Sequence, residues 1–151
     1  MCQTGAAVAE KDTEKVVKVL DMAAKTGNPV VTFYNSVGAK LEEGLAALSG
    51  SAAVAAAVAK VSGVVPQIAV VTGVCGAGSA LAAAAADVCI VSKEGELFLT
   101  APFTSAAAGD KLEGAGSAEF AAKAGVAAIV VDSAEEAAAK AAELVGLLPA
   151  N

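Results

Sequence analysis

The chain has no histidine and no tryptophan, and its 151 residues include one tyrosine and four phenylalanines. Histidine is the commonest general base and metal ligand near neutral pH. Without it, any chemistry must run on backbone amides, carboxylates, thiols, lysine or groups that a cofactor brings. With aromatics at 3%, the 56% hydrophobic content rests mainly on alanine and valine. A core of that kind works by close approach of small side chains and backbone, not by aromatic plugs. Basic residues are also scarce: ten against sixteen acidic ones, a net charge of −6 and a pI near 4.6. No stretch gathers them into a phosphate-tracking surface, so nucleic acid is not an expected partner. Cys2, Cys75 and Cys89 are an odd set without metal-ligand spacing. They suit a reducing cytosol, and a cytoplasmic protein with neither disulfide framework nor metal is expected.

The N-terminus reads polar and then charged, so no signal peptide is expected. The uncharged run 64–86 is long enough to cross a bilayer. Pro66, Gln67, Thr72 and the glycines at 73, 76 and 78 break it. A buried strand, a glycine turn and a small-residue helix explain it better than membrane insertion.

The length fits one domain, residues 1–151, with residues 1–10 expected to be flexible. Val16, Val17, Val19, Leu20, Ala23 and Ala24 repeat at helical spacing after Asp12, and Gly27-Asn28-Pro29 ends that helix. Val30–Tyr34 is a β-rich run. Helices are expected over 39–48 and 51–61, a strand over 67–72, a helix over 79–86 and strands over 87–91 and 96–99. Lys93-Glu94-Gly95-Glu96 reads as a hairpin and 101–116 as loop. A short helix over 117–124, a strand over 126–131 and a last helix complete the chain, the last capped by Ser133 with Glu136 three residues on. Strands alternating with helices across short turns predict an α/β fold, with a mostly parallel sheet covered by helices.

Two places share one design, in which a strand runs out, small residues turn and a helix starts. They are Tyr34-Asn35-Ser36-Val37-Gly38-Ala39-Lys40 and Thr72-Gly73-Val74-Cys75-Gly76-Ala77-Gly78. Free amides at a helix start suit an anion or a developing oxyanion, and small residues let a carbonyl reach them. The same residues also fit ordinary βα turns, since neither matches a phosphate-loop or dinucleotide fingerprint. Nothing in this pattern selects one carbonyl substrate over another. Cys75 stands where a helix start could lower its pKa, but a buried inert structural thiol is the better reading. Glu42 and Glu43 are adjacent on a helix and point about 100° apart, which favours a solvated face over an acid/base pair.

Ordered along the chain, these motifs resemble a known family. Gly38-Ala39-Lys40-Leu41-Glu42-Glu43-Gly44 with the following Leu45-to-Gly50 run is similar to S-G-G-A-R-[IL]-[QE]-E-G-x-x-x-L-x-G of the biotin-dependent acyl-CoA carboxyltransferases. Ser62-Gly63-Val64-Val65-Pro66-Gln67-Ile68 resembles their S-G-V-[IV]-P-Q-I, and Gly73 to Ala80 their G-P-C-A-G-G-A. Glu96-Leu97-Phe98-Leu99-Thr100-Ala101-Pro102 looks like their [LF]-[FI]-T-G-P stretch, and Leu147 to Asn151 like the close of their N-terminal domain. The resemblance implies a crotonase-like (ββα spiral) fold and transfer of a carboxyl group between biotin, on a partner carrier protein, and an acyl-CoA. The acyl group would be of the acetyl, propionyl or glutaconyl kind, and biotin would act as the base.

Carried over by position, the Val37 and Gly38 N–H groups would form the oxyanion hole. Ser36, Ala39, Lys40, Cys75, Gly76, Ala77 and Gly78 would line the CoA and substrate site. Implied partners are a biotinyl carrier, a C-terminal-type carboxyltransferase subunit, or both, in a homo- or hetero-oligomer. The chain departs from the pattern at Val37 for glycine, Lys40 for arginine, Val74 for proline, and Gly76-Ala77-Gly78 for A-G-G. A non-catalytic CoA-binding or scaffold subunit and a crotonase-type hydratase or isomerase are the alternatives.

Overall fold

A computed structural model describes residues 7–109 and 112–149. Its centre is a parallel sheet in the order β2-β4-β5-β7, with β2 at Val30–Ser36, β4 at Gln67–Gly76, β5 at Val88–Ser92 and β7 at Ile129–Val131. Strand β6 (Glu96–Phe98) also pairs with β4. β4 reads as a continuous apolar run because helices cover both of its faces. Ile68, Val70 and Ile90 point one way, onto Ala137 and Ala141 of α6 (Ala134–Leu147). Ala69, Val71, Cys89 and Val91 point the other way, onto α3 (Gly78–Ala84) and α5 (Ala118–Lys123). A further layer packs Leu20 and Ala23 of α1 (Glu10–Thr26) against Ala57, Val58 and Val61 of α2 (Leu45–Val61).

The small-residue core works as the composition implies. At the crossing of α1 and α2, a methyl on Gly50 would collide with the buried Thr13 hydroxyl, so only glycine permits that approach. The same crossing explains why α2 runs unbroken through Ser49-Gly50-Ser51, where two helices are expected. Burial against α1 overrides the weak helix propensity of that triplet.

Three further expectations change. β4 does not stop at Thr72 but continues to Gly76, because β2 pairs Ser36 with Cys75 on one side and β6 pairs along Val74–Gly76 on the other. Lys93–Glu96 is not a hairpin. β5 and β6 both run parallel to β4 along the same edge, 88–91 beside 68–71 and 96–98 beside 74–76. The residues between them form a tight excursion closed by Gly95 N–H donating to the Ser92 carbonyl at 2.8 Å. A methyl on Gly95 would lie 2.8 Å from the Val71 carbonyl oxygen, which is why glycine stands there. Finally, the stretch expected as loop contains α4 (Pro102–Ala107), with proline in its first turn.

At the N-terminus, Ala7–Val8 forms β1, which pairs in parallel with β3 (Gly38–Ala39), and Glu10 already belongs to α1. Residues 1–6 of the expected flexible segment lie outside the described residues. Glu42 is exposed and Glu43 half-buried, and the Glu43 carboxylate accepts the exposed Glu10 N–H at 2.7 Å, in the first turn of α1. The Ser133 cap forms as expected, with its hydroxyl accepting from the Glu136 N–H at 3.1 Å. The 64–86 run resolves into β4 and α3, and no described helix is long and apolar enough to cross a membrane.

Candidate active site

β2 and β4 are parallel neighbours, so they deliver their following turns to the same end of the sheet. A register irregularity between Tyr34 and Ser36 re-aims the end of β2, as bulges beside functional sites do. Gly38 sits at φ +115°, a conformation that L side chains rarely adopt. Its N–H donates to the Ser36 hydroxyl at 3.2 Å, and that hydroxyl lies 3.4 Å from the Gly38 carbonyl oxygen. A methyl on Gly38 would stand 3.0 Å from the Ala77 methyl, and one on Gly76 would stand 3.0 Å from the Val37 carbonyl oxygen and 2.9 Å from the Phe98 ring. The two turns singled out in the sequence are therefore packed backbone against backbone.

Ala77 precedes α3 at φ +53°, ψ −125°, and among the described residues it is the one non-glycine with positive φ. Gly44 precedes α2 at φ +54°, ψ −123°. Both helices thus spring from the same unusual backbone, once with glycine and once with a strained alanine. The Ala77 N–H donates to the Phe98 carbonyl at 3.1 Å, tying this turn to β6.

A cavity of about 350 Å³ opens beside these turns. The hydroxyl-bearing Thr13, Thr32, Tyr34, Ser36, Ser51 and Ser79 line it, together with Gly38, Ala39, Gly78 and the apolar Val8, Val16, Phe33, Val54 and Ala82. Its one carboxylate, Asp12, accepts the Ala9 N–H at 3.3 Å and pairs with Lys15 at 3.6 Å. A second cavity of about 450 Å³ shares Ala39, Ser51 and Gly78 with the first. The rest of its lining is apolar, including Leu41, Leu48, Ala55, Ala77 and Leu81.

Of the residues singled out in the sequence, Ser36, Gly38, Ala39 and Gly78 line the first cavity, and Ala39, Ala77 and Gly78 the second. Val37 is 52% exposed, with its carbonyl against Gly76. Lys40 lines neither cavity, and its N–H donates to the Val8 carbonyl at 2.9 Å. Gly76 is buried behind the Phe98 ring. Cys75 is fully buried in the core, so its side chain is closed to a ligand. Burial, with Cys89 nearby, pushes its thiol up to about 12, and burial pushes Cys89 to about 11. Neither is an activated nucleophile. Burial, with the Cys75 thiol beside it, also holds the Tyr34 phenol above its ordinary range.

The hydroxyl lining from Thr13, Ser51 and Ser79 was not legible beforehand. Each sits inside a helix on a different segment, and no local spacing relates them.

A carboxyl transferase domain matches residues 3–151. The methylmalonyl-CoA carboxyltransferase 12S subunit of Propionibacterium freudenreichii subsp. shermanii is 40% identical over 98 residues, which is 65% of this chain and 19% of that relative. The propionyl-CoA carboxylase beta chain of Roseobacter denitrificans is 32% identical over 152 residues, covering 97% of this chain and 30% of its own length. Among solved structures, the transcarboxylase 12S hexamer with methylmalonyl-coenzyme A bound superposes with a TM-score of 0.91 at 34% identity, over 96% of this chain and 29% of that one. The beta subunit of Pseudomonas aeruginosa geranyl-CoA carboxylase superposes with a TM-score of 0.87 at 28% identity, over 97% and 29%. The chain spans less than a third of the length of these relatives. A domain match over nearly the whole chain, a shared crotonase-like α/β fold and two adjoining glycine turns at one sheet end lead to one conclusion: the chain belongs to the carboxyl transferase domain family.

Proposed function

We propose that this chain supplies the acyl-CoA-binding half of a carboxyltransferase that moves a carboxyl group between biotin and an acyl-CoA of the acetyl, propionyl or glutaconyl kind. The observation that carries the reading is the packing of the Gly38 turn against the Gly76-Ala77-Gly78 turn at the mouth of a hydroxyl-lined cavity. In this reading the thioester oxygen lies against the Val37 and Gly38 N–H groups, taking the place that the Ser36 hydroxyl holds on Gly38. As the α-proton leaves, charge builds on that oxygen, and the two amides stabilise it most strongly at that moment. Gly76, Ala77 and Gly78 form the opposite wall and exclude water.

The donor set fits a guest that brings its own proton acceptor. The cavity's one carboxylate is already paired, and the nearby phenol and thiol are held protonated by burial. Biotin, delivered on a carrier protein, supplies the carboxyl group and that acceptor. The chain's own residues then bind the thioester, orient its Cα–H bond and hold the enolate oxygen. Lys40, outside both cavities, keeps the positive charge of the family arginine without the fork that arginine would offer. Leu41 at 88%, Leu45 at 83% and Phe103 at 79% exposure are the apolar surface that a C-terminal-type subunit or a second copy would cover, in a cytoplasmic oligomer.

Calorimetric titration checks the binding half. Propionyl-CoA should occupy one saturable site from which free CoA displaces it. Ser51→Leu, which fills the rim common to both cavities, should weaken binding by roughly tenfold or more. A chain that binds no CoA thioester would contradict the proposal.

A further inference from the structure

We propose that Ala77 sets the length of acyl chain this site accepts, its methyl closing the passage from the hydroxyl-lined cavity into the apolar one. The inference rests on the acyl-CoA reading above and concerns the same site. The two cavities meet at Ala39, Ser51 and Gly78, which line both. Gly38 lines only the first and Ala77 only the second. Where they touch, the space a Gly38 side chain would need ends 3.0 Å from the Ala77 methyl. Beside the shared Ala39, Ser51 and Gly78, the contact of Gly38 with the Ala77 methyl thus sets a residue of one cavity against a residue of the other.

Three features make this methyl a determinant rather than filler. The backbone at Ala77, φ +53° and ψ −125°, is the one glycine adopts at Gly44, so alanine is strained there and the turn itself does not need it. The space beyond it is about 450 Å³, and Ser51 supplies its one polar side chain. An acyl tail would find hydrocarbon surface there with little polar group to desolvate. Finally, a thioester oxygen on the Gly38 amide places the acyl chain next to this partition. Short acyl groups of the acetyl and propionyl kind stop in front of the methyl, whereas a longer chain has to pass it.

Acetyl-CoA, octanoyl-CoA and free CoA, each titrated into the chain, test this. The native protein should bind acetyl-CoA at least roughly tenfold more tightly than octanoyl-CoA, the scale of a single methylene clash in a packed pocket. Ala77→Gly should bring the ratio of the two dissociation constants close to unity, with a melting temperature equal to or above that of the native chain. Adding Ala55→Leu to Ala77→Gly refills the apolar cavity and should restore the preference for acetyl-CoA. A native protein that binds octanoyl-CoA as tightly as acetyl-CoA, or an Ala77→Gly variant with an unchanged ratio, would overturn the role of Ala77 while leaving the acyl-CoA reading intact. Failure of all three CoA probes to bind would overturn that reading, and this inference with it.

Discussion

Gly38→Ala should reduce turnover of the assembled enzyme by about 10²–10³-fold, the loss expected when one oxyanion donor is removed. Two features of the site act together. At φ +115° any residue with a side chain is strained, which costs roughly 1–3 kcal/mol, and the new methyl would meet the Ala77 methyl at 3.0 Å. The chain can relieve both only by rotating the 37–38 peptide, and that turns the amide away from the thioester oxygen. In the proposed reading the nucleotide end of CoA lies away from Gly38, so affinity for free CoA should be nearly unchanged while kcat falls, the signature of an interaction made in the transition state. The melting temperature should drop by roughly 2–12 °C, which follows from the same strain at about 2–4 °C per kcal/mol for a chain of this size. Steady-state kinetics beside a thermal melt separates the two roles. If a Gly38→Ala protein that still binds CoA turned over at the native rate, Gly38 would be a turn glycine and no more.

Alkali should destabilise this protein as its buried thiols are driven to ionise. The Cys75 thiol is pushed up to about 12 and Cys89 to about 11, and the Tyr34 phenol is raised further still. Burial is the first cause in each case, so the fold holds all three protonated. In the unfolded chain the thiols ionise from an ordinary value of 9.0 and the phenol from 10.0. A folded pKa above the unfolded one means stability that is present below the unfolded value and lost as pH climbs toward the folded value. The window is therefore pH 9 to 12, and the thiols act first. For Cys75 alone the full loss is on the order of 4 kcal/mol, a large share of the roughly 5–15 kcal/mol that holds a domain together. Chemical denaturation at stepped pH should show stability falling steadily across that window. Cys75→Ala with Cys89→Ala should start less stable but fall less steeply. Equal slopes for the two proteins would show that the thiols are not the groups responsible.

What could be read from the chain beforehand follows from where local signals dominate. Val30–Tyr34 and Ile68–Val71 announce strands because β-branched runs end at glycine or proline, and Ser133 with Glu136 announces a helix start through its own hydrogen bonds. The two glycine turns stood out for the same reason, and their position at one end of the sheet follows once β2 and β4 are parallel. Long-range packing decided the rest. Nothing local in Lys93–Glu96 shows that β6 continues along β4 instead of folding back, since that depends on the gap beside Val74–Gly76. The Ser49-Gly50-Ser51 triplet looks like a break until Thr13 is seen to need the glycine. Cys75 was placed at a ligand site by its neighbours in the motif, but strand alternation turns its thiol into the core, whereas Gly38 and Gly78 present backbone to the cavity. Lys40 likewise follows the motif in order but not in lining. The exchange of alanine and glycine in Gly76-Ala77-Gly78 was visible as letters. Only the backbone angles show that it puts a methyl where the chain geometry favours none.

The central claim is that this chain holds an acyl-CoA enolate on backbone amides while the proton acceptor comes from biotin. Exchange of the α-proton of propionyl-CoA with deuterated water, followed by mass spectrometry on the chain assembled with the proposed C-terminal-type carboxyltransferase subunit, tests that claim most directly. The account predicts exchange only when biotin is supplied, lost again in Gly38→Ala. Exchange without biotin would reveal an acceptor within the protein and a hydratase- or isomerase-like reaction. No exchange with biotin and bound propionyl-CoA both present would show a CoA-binding subunit that leaves the chemistry to others.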